Sequence, residues 1–134
     1  MNKQIFVNLP VQDLNKSKQF FQALGYSFNP QFSDDTAACM VISEAIYVML
    51  LTHPKFNSFT PLPVCDAHKS TEVMICLSCE SRAQVDELVA KAKASGGGSH
   101  QAKADDHGFM YGNSFTDLDG HIWEVMYMEP SHVQ

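Results

Sequence analysis

The sequence predicts an α+β protein made of two tandem β-α-β-β-β modules. Two observations predict it: the order of one strand, one helix and three strands occurs twice along the 134 residues, and a proline-bearing stretch parts the two occurrences. The first module spans residues 1–52 and the second 71–130 within a single domain of 1–134, with residues 53–70 as the linker. That linker holds Pro54, Pro61 and Pro63, half of the six prolines in the chain.

Each element has a local reason. KQIFVNLPV is rich in β-formers and reads as the first strand, and Asp13 then stands where an N-cap belongs. Leu14, Phe21 and Leu24 form one apolar helix face, which Gly25 ends. The Phe20-Phe21 pair is expected to pack this helix on the sheet. YSFNPQF, TAACMVI and AIYVMLL follow as three strands, broken by Asn29-Pro30, by Ser33 to Asp35 and by Ser43-Glu44.

The second module opens with STEVMICLS as a strand. Ser81 and Gln84 stand at capping-box spacing before a helix whose buried stripe is Val85, Leu88, Val89 and Ala92, and Gly96 to Gly98 end it. Three further strands are predicted in GSHQAKA, GFMYGNSFT and HIWEVMYM, the last two joined by a tight turn at Asp117, Leu118, Asp119 and Gly120. The glycine run is no phosphate cradle: it follows a helix, where a cradle must precede one, and no Gly-Lys-Ser/Thr is present.

Composition narrows the function classes. With 45% apolar and 18% charged residues the chain is of ordinary globular type, and its net charge of −6 comes without any basic run. Nucleic acid is therefore not an expected partner. No window approaches the roughly 18 continuous apolar residues of a membrane span, and MNKQIFVNLP lacks the apolar stretch of a signal peptide, so no membrane partner and a cytoplasmic location are expected. Cys39, Cys65, Cys76 and Cys79 read as small buried thiols of a reducing compartment. Cys76 and Cys79 have zinc-knuckle spacing but lie in a strand, which would turn them to opposite faces.

The front segment NLPVQDLNKSKQFFQALGY carries V-x-D-L before a helix ending in L-G, and the back segment FTDLDGHIWEV carries D-x-D-G-x-x-x-E. Together with the doubled module, these resemble the vicinal oxygen chelate superfamily, which holds glyoxalase I, bleomycin-resistance proteins, fosfomycin-resistance enzymes and extradiol dioxygenases. The resemblance implies curved mixed sheets around a cavity, a homodimer, and a site whose metal ligands come from the first and fourth strands of each module. Carried over one by one, those positions fall on Phe6, on Met49 (Leu50 if the register slips), on Met74 (Glu72 if it differs by two) and on Glu124. Glu124 alone matches the pattern. The expectation is accordingly no cofactor; a divalent metal, if held, would use Glu124, Glu72 and His53.

On this resemblance, strand alternation assigns Phe6, Asn8, Met49, Leu51 with His53 at the strand end, Glu72, Met74, Cys76, Ile122, Glu124 and Met126 to the cavity side. Ile5, Val7, Leu9, Val73, Ile75 and Leu77 are assigned to the helix side, with Trp123, and His121 to the helices or solvent. The expected ligand-binding set is Phe6, Asn8, Met49, Leu51, Met74, Glu124 and Met126, around a small, partly apolar molecule. The alternative is a lyase, isomerase or dioxygenase-type enzyme in which Glu124 moves a proton with help from His107 or Tyr111. A third reading is an interaction module whose cavity its own side chains fill.

Overall fold

In the computed structural model, residues 3–99 and 103–130 are described. The chain forms two compact units, Met1–Cys65 and Asp66–Gln134. Each contains a four-stranded mixed sheet and a long helix, and the fold is the predicted α+β.

In the first unit, β1 (Ile5–Val11) leads to helix α1 (Leu14–Ala23), then to β2 (Ser27–Asn29), β3 (Ala37–Val41) and β4 (Ile46–Thr52). The sheet order is β1-β4-β3-β2, with β1 parallel to β4 and the other pairs antiparallel. A parallel neighbour needs a crossover, and α1 lies within it. Asp13 caps α1 by accepting from the Lys16 N–H at 3.1 Å. Gly25, at φ +105°, turns the chain out of the helix in a region closed to most side chains.

The register sorts the faces. Leu9, Leu50 and Ala38 form one row and Val48 and Met40 another, all buried, on the side where α1 buries Leu14, Phe20 and Phe21. Ala37 to Met40 are buried on both faces, so TAACMVI shows no alternation in sequence. Ile5 departs from expectation: it lies at the start of its strand and stays 54% exposed. YSFNPQF is strand only over β2, because Pro30 cannot donate to a ladder and opens a 3₁₀ turn, Pro30–Phe32. His53 begins the short helix α2 (His53–Asn57) and is exposed, so the residue expected at the end of β4 is not on that strand.

The second unit runs β5 (Met74–Ser78), α3 (Arg82–Ala94), β6 (Asp105–Asp106), β7 (Met110–Thr116) and β8 (Ile122–Met128). Its sheet order, β5-β8-β7-β6, repeats that of the first unit. On α3, Val85, Leu88, Val89 and Ala92 are buried, as the apolar spacing requires. Their counterparts on the sheet are Phe115, Trp123 and Val125, all fully buried.

Ser81 caps α3 by accepting from the Gln84 N–H at 3.1 Å, and Gln84 accepts from the Glu80 N–H at 2.7 Å, one residue before the reciprocal bond of a standard capping box. Ser81→Ala is expected to cost about 1 kcal/mol of stability in urea unfolding. Two sequence expectations shift. β5 begins at Met74, so Glu72 and Val73 precede it, and Val73 is exposed rather than packed under a helix. In place of a strand through GSHQAKA, whose residues 100–102 lie outside the described ones, Gly98 bridges Thr116 and β6 follows at Asp105.

Candidate functional site

The site is built around the turn that launches β8. The Asp117 carboxylate is buried and accepts three bonds, each 3.0 Å long: from the Asp119 N–H, the His121 N–H and the Trp123 indole N–H. Burial pushes the Asp117 carboxyl above the usual range, and the charge of His121 and the Trp123 bond only partly offset this. Gly120, at φ +86°, closes the turn by donating to the Asp117 carbonyl at 3.1 Å. His121 is buried, and its Nδ1 lies 2.6 Å from Glu72 Oε1.

This anchoring sets the register of β8 and hence the surroundings of Glu124. Glu124 stands opposite Cys76 on β5 and Ser114 on β7, giving a row Cys76, Glu124, Ser114 across the face away from α3. The next row on one side is Met74, Ile122 and Thr116, and on the other Ser78, Met126 and Gly112. Glu124 is half-buried, while Met74 is 59% exposed. Against the expectation of buried thiols, Cys65 and Cys76 are exposed; partial desolvation, and then the neighbouring Glu124 charge, still push the Cys76 thiol up. Burial also raises the Cys79 thiol, with Cys76 adding to the shift.

The equivalent face of the first sheet has its own composition. Phe6 stacks on Tyr47 with centroids 4.8 Å apart and ring planes within 11°. Asn8 stands opposite Met49, which in turn faces Cys39 on β3. Leu51, between Pro10 and Ala37, is buried.

Several expected neighbours of Glu124 lie elsewhere. Tyr111 pairs with Tyr127 and shares its side of β7 with Phe115, the side facing α3, opposite to Glu124. There its hydroxyl donates to Asp86 at 2.5 Å, and Arg82 lies over its ring at 5.0 Å. Arg82 also pairs with Asp106 at 2.9 Å and donates to the Gly108 carbonyl at 2.8 Å, so this cluster ties the β6–β7 hairpin to α3. His107 is exposed in that hairpin. Glu72 is engaged by His121, not aligned with Met74 on a strand. The residues that sequence reasoning passed over are Asp117, whose signal was the D-x-D-G turn itself, and Ser114, for which alternation back from the turn was the available signal.

Two repeated βαβββ units, with a carboxylate on the last strand after an Asp-Gly turn, define a glyoxalase-type fold. The family profile described as Bleomycin resistance protein-like N-terminal matches residues 3–43. Among solved structures, the hypothetical protein SA1046 from S. aureus is 34% identical, with 95% of each chain covered and a TM-score of 0.79. A glyoxalase/bleomycin resistance protein/dioxygenase family enzyme from Burkholderia phytofirmans is 14% identical over 95% of this chain and 99% of that one, TM-score 0.76. A glyoxalase-related enzyme from Fulvimarina pelagi is 17% identical over 95% and 88%, TM-score 0.75. The last two likenesses show the fold alone. No curated protein matches the chain. The chain is thus related over nearly its whole length to SA1046, shares the fold of the glyoxalase/bleomycin resistance protein/dioxygenase structures, and matches a bleomycin resistance protein-like profile over its first strands and helix.

The divalent ion that the resemblance implies can be tested against these residues. A hard cation takes several oxygen or imidazole ligands, whereas the four inherited positions supply one phenyl ring, two thioethers and one carboxylate. Among the described residues, no three His, Cys, Asp or Glu side chains gather to hold a metal. The donor set does not fit a hard ion.

Proposed function

We propose that the protein binds a small, partly apolar molecule at the face of the second sheet away from α3 without a required metal, as a cytoplasmic homodimer. The observation that carries this reading is Glu124: a half-buried carboxylate flanked by Cys76 and Ser114, with Ile122, Met126 and Met74 around it. Such a group accepts a hydrogen bond or pairs with a cation, while the thioethers adapt to apolar surface of varied shape. The first sheet offers a comparable mixture, with Asn8 as the polar group beside Phe6 and Met49. Tyr111 lies against α3, on the other side of β7 from Glu124, so the hydroxyl-bearing residue beside Glu124 is Ser114.

The test is a small-molecule screen read by thermal shift, followed by calorimetry on the hits. Glu124→Gln keeps the shape and removes the charge, and is expected to weaken binding by about tenfold or more, the range for hydrogen bonds to a charged group. Metal analysis of the purified protein forms the second arm. Stoichiometric nickel, zinc, iron or manganese, lost together with activity in Glu124→Gln, would overturn the metal-free reading.

A further inference from the structure

We infer that residues Ala67 to Thr71, together with Thr116, Gly120 and Ile122, form a subsite for a small oxyanionic group such as a phosphate or a carboxylate. The subsite is a pocket of ≈ 240 Å³ with these residues as its lining. Ligand pockets for drug-sized molecules run from about 300 to 1,000 Å³, so this one suits a single functional group.

Local backbone geometry makes the wall. The N–H groups of Lys69 and Ser70 both donate to the Asp66 carbonyl at 2.9 Å, and the His68 N–H donates to Asp66 Oδ1 at 3.0 Å. The resulting tight turn lies directly on Gly120: a Cβ there would stand 2.7 Å from His68 Nδ1 and 2.8 Å from His68 N. Gly120 therefore serves twice, once for its positive φ and once for this approach.

The chemistry of the lining selects the ligand. Its lining residues include Lys69, His68, Ser70, Thr71 and Thr116, whose hydroxyl oxygen also accepts from the Gly98 N–H at 3.1 Å, and no Asp or Glu, in a chain of net charge −6. Three acids nearby are directed to other donors. Asp66 accepts from the His68 N–H, Glu72 meets His121, and Asp117 accepts from Asp119, His121 and Trp123. A larger groove in the first unit, ≈ 950 Å³, shows the opposite balance, with Asp13, Asp34 and Asp35 against Lys18. Charge-assisted hydrogen bonds from an ammonium and several hydroxyls suit an oxyanion.

The subsite also abuts the Glu124 face. Thr116 and Ile122 are paired, and Ile122 precedes Glu124 by two residues on the same side of β8. An extended ligand with its oxyanion in the pocket would pass over Ile122 to reach Glu124. This last step alone rests on the proposed function, and the anion subsite stands without it.

The test is an amide-resolved NMR titration of the whole protein at constant ionic strength, with sodium phosphate in one arm, sodium acetate in another and sodium chloride as reference. Saturating shifts at His68 to Thr71, Thr116 and Gly120, with a dissociation constant on the order of 1 mM, are expected for at least one anion. The stronger arm tells phosphate from carboxylate. Lys69→Glu is expected to weaken binding about tenfold or more, and Lys16→Glu, the same charge change on α1, should leave it intact. Glu124→Gln should likewise leave anion binding intact even if it abolishes binding of the larger ligand, which separates failure of this subsite from failure of the Glu124 reading. Linear, non-saturating shifts in both arms, or equal weakening by Lys69→Glu and Lys16→Glu, would overturn the subsite.

Discussion

Trp123→Ala is expected to lower the unfolding free energy of the second unit by about 3–5 kcal/mol, the range for emptying a large aromatic site in a packed core. Trp123 is fully buried and lies parallel to Phe115, with ring centroids 6.2 Å apart and planes within 1°. Its indole N–H also satisfies one oxygen of the buried Asp117 at 3.0 Å. Two effects therefore add: a cavity beneath α3, and a carboxylate oxygen deprived of a donor. Trp123→Phe separates them, since it keeps much of the ring volume and removes only the N–H. Its cost should be about 1–2 kcal/mol, as for a lost buried hydrogen bond. Urea unfolding followed by circular dichroism reads both; equal midpoints for the two variants would show that ring packing contributes nothing beyond the hydrogen bond.

The second large effect concerns Asp117. Replacing it with alanine strands three N–H donors in the turn, for an expected loss of about 3 kcal/mol or more. Asp117→Asn retains one acceptor oxygen and should cost less. Its penalty should also depend on pH, and the sign follows from burial. Because the Asp117 carboxyl is raised in the fold, the folded protein holds this proton at a pH where the unfolded chain, near a carboxyl value of about 3.9, has released it. Wild-type stability therefore falls, through this group, as pH rises from that value to the raised one, and stays lower above it. Asparagine has no proton to lose, so the gap between wild type and Asp117→Asn should be widest at the acid end and narrow toward neutral pH. Asp34 and Asp106 are shifted downward by hydrogen bonds from Thr36 and from Arg82, and contribute in the opposite direction. They are present in both proteins and cancel in the difference. A gap that widens with rising pH would contradict the role of burial at Asp117.

Much of the fold was legible because its signals are local. Asp13 and Ser81 cap the helices expected of them, the stripe Val85, Leu88, Val89 and Ala92 is the buried side of α3, and Trp123 lies opposite Glu124 by simple alternation. The site was less legible. Alternation within β7 sets Tyr111 beside Phe115 and thus against α3, a signal independent of the closeness of His107 and Tyr111 in the chain. Glu72 is expected on a strand because Thr71, Val73 and Ile75 around it are β-branched, yet pairing begins only at Met74. What ends a strand is the loss of a hydrogen-bonding neighbour, and that neighbour, β8, lies about fifty residues further along the chain.

Sequence alone determined the doubled βαβββ order, the places of α1 and α3, the tight turn before β8 and the side of the strand on which Glu124 stands. These depend on periodicity, capping and turn chemistry, all of which act over a few residues. Tertiary structure alone decided that Cys76 and not Met74 stands opposite Glu124, that His121 meets Glu72, and that the turn at Ala67 to Thr71 rests on Gly120. Each joins segments about fifty residues apart. Their meeting depends on strand register and on which backbone can approach a residue without a Cβ, and neither is encoded in any short window of the chain.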